Sequence, residues 1–242
     1  MNLEARGIVV ALGSAEILRG IDLGVSGGQI VGVLGPSGAG KTTLFRALVG
    51  EIRPERGTVL LDGLDVGKEP LWRRARRGVG YVPQVPSVLL DLSVEANLET
   101  FESLARGGQR LGARAWAEAV ELEGRLNVRA GELSGGERRR LELGRALVAR
   151  PGVLICDEPF AGIDPAGAER MGDLLRAQAS RGAAVLIADH HVTEALRVCD
   201  LAALLVDGRL EFVGPPDDFR AHPLVQGRYL GSWSRSVPPP GA

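Results

Sequence analysis

Gly35-Pro36-Ser37-Gly38-Ala39-Gly40-Lys41-Thr42-Thr43 has the spacing of a phosphate-binding loop, G-x-x-x-x-G-K-[ST]. Its glycines let successive backbone N–H groups converge on one anion. The helix that starts near Lys41 adds its positive dipole end at the same point. Lys41 supplies a mobile charge for the outer phosphates, and Thr42 a hydroxyl for magnesium. The chain holds only two lysines, Lys41 and Lys68, among 29 basic residues. Lysine in a chain otherwise given to arginine points to a need for a compact charge on a flexible stem.

Asp157 and Glu158 form a second group, directly after the apolar run Val153-Leu154-Ile155-Cys156. Ligands of an open parallel sheet gather beyond the carboxyl ends of its strands. An aspartate there can hold magnesium through the metal's water shell. The neighbouring glutamate can accept a proton from an attacking water or orient it. The plainer alternative is a cap for the following helix.

Ser134-Gly135-Gly136-Glu137 is a third group, with the serine and glutamate of a capping box. The cap needs only Ser134 and Glu137. The glycine pair adds bare backbone N–H groups at a helix N-terminus, which is a second anion site. One chain folded on itself need not bring both anion sites to one nucleotide; two copies facing head to tail could.

The elements that must position these groups read as an α/β protein. Residues 1–34 read as short strands broken by Gly7, Gly13, Gly20 and Gly27-Gly28. Residues 57–63 read as a hairpin strand with its turn, and residues 78–84 as a strand ending at Pro83 and the lone amide of Gln84. Arg73-Arg74-Ala75-Arg76-Arg77 reads as a solvated basic face rather than an anion site. From about residue 86 to 150 the pattern is helical, with a loop at Gly107-Gly108-Gln109-Arg110. The apolar runs 153–156 and 183–188 read as buried parallel strands, and 204–212 as a last hairpin. Residues 232–242, with Pro238-Pro239-Pro240, read as a disordered tail after a single domain spanning 1–231.

A 242-residue chain with 45% apolar residues has enough for one sizeable core. Net charge of −1 speaks against nucleic-acid binding through bulk electrostatics. Cys156 and Cys199 lack metal-ligand spacing and read as buried free thiols. No stretch has the apolar length of a membrane span, and the N-terminus lacks the pattern of a secretory signal. The expected location is cytoplasmic, with any membrane association made through another subunit.

The phosphate loop, Gln84, Leu133-Ser134-Gly135-Gly136-Glu137, Asp157-Glu158, Asp164 and His190 occur in the order of the ATP-binding-cassette (ABC) ATPases, which the chain resembles over residues 3–231. The resemblance implies a P-loop NTPase core with a mainly parallel sheet, a small antiparallel β subdomain and a helical subdomain. It also implies ATP and Mg2+ as cofactors, and a dimer with each nucleotide between the phosphate loop of one copy and Ser134-Gly135-Gly136 of the other. Glu158, His190 and Gln84 would serve hydrolysis, with Thr42, Gln84 and Asp157 around the metal. Asp164 matches the loop that communicates between protomers. His190 fits the switch position better than the adjacent His191, and His222 reads as structural.

Within the family, residues 133–140, 157–165 and 74–84, with the late Tyr229-Leu230-Gly231, resemble the ATPases of lipopolysaccharide export. Branched-chain amino-acid importers are the alternative. The resemblance implies separate transmembrane partners and a place at the cytoplasmic side of the inner membrane. A soluble cassette of DNA repair or translation would need long coiled-coil arms or a second cassette, for which this chain has no room. A nucleotide-gated subunit that hydrolyses poorly is discouraged by Glu158. Two features depart from the family. Leu12 stands where an adenine-stacking aromatic is usual, and the segment between Asn97 and Leu133 is shorter than in the export ATPases.

Overall fold

The computed structural model describes residues 1–105 and 110–226. The chain opens with β1 (Leu3–Leu12) and β2 (Ala15–Val25), paired antiparallel. These are two long strands, which corrects the expectation of short ones broken at Gly7 and Gly20. Both glycines sit inside a strand at positive φ, 58° and 81°, and the register slips between Ala5 and Ile8. A bulge takes up the extra residue and bends the strand while pairing resumes beyond it. Of the three single glycines, only Gly13 lies between the strands.

β3 (Ile30–Leu34) leads into the phosphate loop and α1 (Lys41–Val49). β4 (Arg56–Leu61) and β5 (Leu64–Asp65) form the expected hairpin and join the first two strands in the order β2-β1-β4-β5. Next come α2 (Leu71–Arg76) and β6 (Val79–Val82). The helical stretch contains α3 (Val94–Leu104), α4 (Ala113–Glu118) and α5 (Gly135–Leu147). The core then resumes with β7 (Val153–Asp157), α6 (Pro165–Ser180), β8 (Ala184–Asp189) and α7 (Val192–Val198). β9 (Leu201–Val206), β10 (Arg209–Gly214) and α8 (Pro216–Ala221) complete the described chain.

The second sheet runs β10-β9-β3-β8-β7-β6, with every pairing parallel except β9 with β10. β3, β7 and β8 are buried along their whole length, as expected for continuous apolar runs. Successive side chains alternate between two cores, because strand side chains point to opposite faces. Leu154, Cys156, Val185 and Ile187 join the helices α3 to α7. Val153, Ile155, Ala184 and Leu186 join α1 and the antiparallel sheet. Each such Val, Leu or Ile taken fully from water contributes roughly 1.5–3 kcal/mol. A charge at Val185 or Ile155 would therefore disrupt one core directly.

The arginine run is not a uniform solvated face, which corrects the second expectation. Arg74 is 1% exposed. Its Nη1 donates to the carbonyls of Ala47 (2.8 Å) and Leu48 (2.6 Å), and its Nε and Nη2 to those of Glu69 and Gly67. The last carbonyls of a helix have no partner within it, and Arg74 supplies one to the end of α1. Burial brings its pKa down to about 10. Arg73, Arg76 and Arg77 are exposed.

Both cysteines are free and buried, and burial pushes each thiol up to about 12. Among the described residues no helix is long and apolar enough to cross a membrane. Residues 107–109 of the expected loop 107–110, the Tyr229-Leu230-Gly231 stretch and the tail 232–242 lie outside the described residues.

Candidate active site

The parallel sheet brings the phosphate loop, the Asp157-Glu158 pair and His190 to one edge. Leu34 pairs with Asp189 and Asp157 with Ala188, so the loops after β3, β7 and β8 leave the sheet side by side. Between them lies a cleft of about 600 Å3, lined by Ile17, Ser37, Gly38, Gly40, Lys41, Thr42, Thr43, Gln84, Glu158 and His190.

The loop is held from both sides. Gly40, at φ 106°, precedes α1 where a Cβ would meet Leu18 Cδ2 at 2.9 Å, so only glycine fits there without displacement. The Ala39 carbonyl accepts a hydrogen bond from Gly208 N (3.1 Å), tying the loop to the turn between β9 and β10. Pro36 faces a neighbouring hollow instead of the cleft. A Cβ on Gly35 would meet the Leu205 carbonyl at 2.0 Å.

Lys41 is buried and donates to the carbonyls of Gly35 (2.6 Å) and Pro36 (3.0 Å). An ammonium has three donors, so one remains for a ligand beyond these two bonds. Burial lowers its pKa against the opposing pull of Glu158, Asp157 and Asp189. The Thr42 hydroxyl donates to Gln84 Oε1 at 3.3 Å. Behind them Asp157 is fully buried, and neither carboxylate oxygen has a hydrogen-bond partner among the described residues. Burial, offset in part by the neighbouring Thr42 hydroxyl, pushes its carboxyl up to about 6. A buried carboxylate without a partner is costly, and a cation placed among Asp157, Thr42 and Gln84 removes that cost. The donor set is all oxygen, as magnesium requires.

Glu158 adopts φ 53°, in the left-handed region, and its N–H donates to the Ala188 carbonyl at 2.6 Å. It does not cap the next helix. That role falls to Asp164, whose side chain accepts from Gly167 N at the start of α6. Glu158 Oε1 lies 3.5 Å from His190 Nδ1, and His190 is half exposed at the cleft. His191 turns away, with its Nδ1 at 2.8 Å from Asp189 Oδ1. Of the two histidines it is thus His190 that reaches the cleft. Asp189 also accepts from the N–H groups of His190, His191 and Phe160. It pins the segment after Glu158 to the turn that carries His190. His222 packs against Phe212 with ring centroids 4.9 Å apart.

Ser134, Gly135, Gly136 and Asp164 do not line the cleft. Ser134 Oγ accepts from Glu137 N, and the Glu137 carboxylate accepts from Ser134 N, so the capping box is complete. A Cβ on Gly135 would meet the Gly162 carbonyl at 2.7 Å, whereas one on Gly136 would have ordinary contact with Ile163. Packing within this chain thus accounts for Gly135 but not for Gly136.

Three residues of the site escape sequence reasoning. Ile17 walls the cleft from a distant strand, and no local pattern marks it. Asp189 follows the apolar run 183–188 directly, and nothing local marks it as a brace between two turns. Arg139 reads as one more residue of a basic helix. Leu12 is half exposed and lies outside the cleft wall.

A model of the ABC transporter family matches residues 18–161. A probable ABC transporter ATP-binding protein of Azorhizobium caulinodans is 40% identical over 95% of this chain and 83% of its own length. The lipopolysaccharide export system ATP-binding protein LptB of Acidithiobacillus ferridurans is 39% identical, over 95% of this chain and 96% of its own length. The crystal structure of the ADP conformation of MJ1267, an ATP-binding cassette of an ABC transporter, superimposes with a TM-score of 0.86 at 25% identity. That match covers 96% of this chain and 99% of the other. With nucleotide-binding loop, acidic pair and fold in agreement, the chain belongs to the ABC transporter family, as one of its ATPase cassettes.

Proposed function

We propose that this ATPase, as one unit over residues 1–231, powers export of lipopolysaccharide or a related lipid through separate membrane-spanning subunits. Its place would be the cytoplasmic face of the inner membrane. The similarity to LptB of Acidithiobacillus ferridurans, nearly end to end, favours this reading over an amino-acid importer.

The observation that carries the catalytic reading is one cleft holding Lys41, Thr42, Gln84, Glu158 and His190, with Ser134-Gly135-Gly136 outside it. Lys41 and the loop N–H groups bind the phosphates. Thr42, Gln84 and Asp157 would hold Mg2+, which supplies charge neutralisation at the outer phosphates. Glu158 orients the attacking water or takes its proton, and His190 hydrogen-bonds a γ-phosphate oxygen. The uncovered side of the nucleotide is closed by the serine-glycine lip of a second, head-to-tail copy. The freedom of Gly136 from packing constraints in its own chain fits that external role.

A hollow of about 380 Å3 between α2, β6 and α5 supports docking of the membrane subunits. Leu71, Tyr81, Pro83, Phe101 and Arg145 line it, beside the Gln84 loop. Depleting the protein in its native host and measuring lipopolysaccharide at the cell surface tests the export reading. Loss of surface lipopolysaccharide, with lipid-handling membrane proteins co-purifying, is the expected result. Normal surface lipopolysaccharide would overturn it.

A further inference from the structure

Arg139 lies on α5, one turn beyond the serine-glycine lip, and is 6% exposed. Its Nη1 donates to the Pro83 carbonyl (2.8 Å) and to Glu142 Oε2 (2.5 Å). Its Nη2 donates to the carbonyls of Asp157 and Glu158, the latter at 3.0 Å. Glu142, 4% exposed, accepts from Ser87 N at 2.7 Å with its other oxygen. One arginine–glutamate pair thus fastens the lip helix to the backbone of both site carboxylates. It also grips the chain on either side of Gln84, at Pro83 and Ser87.

The chemistry requires arginine. A planar guanidinium presents several fixed donors and reaches partners on two sides at once. Glu158 needs such a grip, because a non-glycine residue at φ 53° has left the conformations it prefers. Its N–H is held by the Ala188 carbonyl, and its own carbonyl by Arg139. Released at the carbonyl, the backbone can relax and swing the carboxylate away.

We propose that Arg139 is a positioning residue for ATP hydrolysis. It locks the Glu158 backbone in its left-handed conformation and sets Gln84 in register with the lip helix, without touching nucleotide or water. This inference rests on the ATPase reading of the cleft.

Arg139→Met tests it, together with Arg139→Met/Glu142→Met, in which no buried carboxylate is stranded. In both variants kcat falls about 100-fold, the cost of a small misplacement of a catalytic group. Affinity for ATP without magnesium stays within about twofold, because Lys41 and the loop are separate from this network. In a Glu158→Gln background, Arg139→Met still forms an ATP-dependent dimer by size-exclusion chromatography, because the lip is intact. If the single variant does not fold, the double variant carries the same readouts.

Near-normal kcat in the double variant would mean that only the stranded Glu142 mattered, and would overturn the proposal. So would loss of dimerisation together with turnover, the mark of a merely structural role. A wild-type protein that dimerises on ATP yet hydrolyses none would instead sink the ATPase reading.

Discussion

His190 Nδ1 and Glu158 Oε1 stand 3.5 Å apart at the mouth of the cleft, on turns that leave the neighbouring strands β8 and β7. That separation is longer than a good hydrogen bond. Each group therefore stays free to contact a third one, and a water or phosphate oxygen lodged there meets both. Asp189 maintains the arrangement from below through the N–H groups of Phe160 and His190.

Glu158→Gln lowers kcat about 1,000-fold, in the range lost when a general base or water-orienting group is removed. Nucleotide still binds, since the loop and Lys41 are untouched, and the ATP-bound dimer accumulates. Phosphate-release kinetics alongside light scattering check both halves. Normal turnover would remove Glu158 from the reaction.

Lys41→Ala acts earlier, on binding. Loss of a charged hydrogen bond to phosphate costs roughly 1.5–3 kcal/mol, or about 10- to 150-fold in ATP affinity by calorimetry. Unchanged affinity would place the phosphates elsewhere.

The wall of the cleft offers Ile17 in place of an aromatic ring, and Leu12, at the position where the family resemblance expects an adenine-stacking aromatic, is half exposed. ATP and GTP therefore bind with similar affinity. Leu12→Tyr adds about 1 kcal/mol of stacking, or about fivefold tighter ATP binding. Strong adenine selectivity in the wild type would contradict this.

Arg74→Met destabilises the fold by about 2–4 kcal/mol, because four carbonyls lose a buried donor. Arg73→Met and Arg76→Met, on the exposed side of the same helix, stay within about 0.5 kcal/mol of wild type. Urea unfolding of the three variants separates one capping arginine from its solvated neighbours.

Glu102 provides a pH test of the helical stretch. Burial raises its carboxyl pKa, but hydrogen bonds from Trp116 Nε1 (2.7 Å), Leu111 N and Gly112 N outweigh it and hold the pKa below the ordinary value. A carboxyl with a depressed folded-state pKa contributes stability above its unfolded pKa, and the contribution disappears as pH falls through the folded value. Glu102→Gln is therefore less stable than wild type at pH 7, by about 1–3 kcal/mol; the gap narrows as pH falls below the ordinary carboxylate value of about 4.3 and closes once pH has passed the depressed folded value. A gap that persists at low pH would show that packing, rather than charge, is what Glu102 supplies.

The order of the elements and the chemistry at each strand end were legible in the chain. Glycine spacing, apolar runs and capping residues act within a few positions of themselves, and so they declare loops, strands and helix starts locally. Lys41, Thr42 and Glu158 were named on that basis, Gln84 and His190 on the family resemblance, and the fold gathers them because parallel strands deliver their carboxyl ends to one edge. Other features depended on partners distant in sequence. Gly7 and Gly20 look like breaks until a neighbouring strand turns them into bulges. Arg74 looks solvated until the end of α1 arrives above it, and Ile17 gains its place only when β2 packs beside the phosphate loop. Arg139 could not be told from its neighbours Arg138 and Arg140, because the carbonyls it binds belong to residues 18, 19 and 56 positions away. A local pattern reports what a residue can do; which groups it meets is decided by long-range packing.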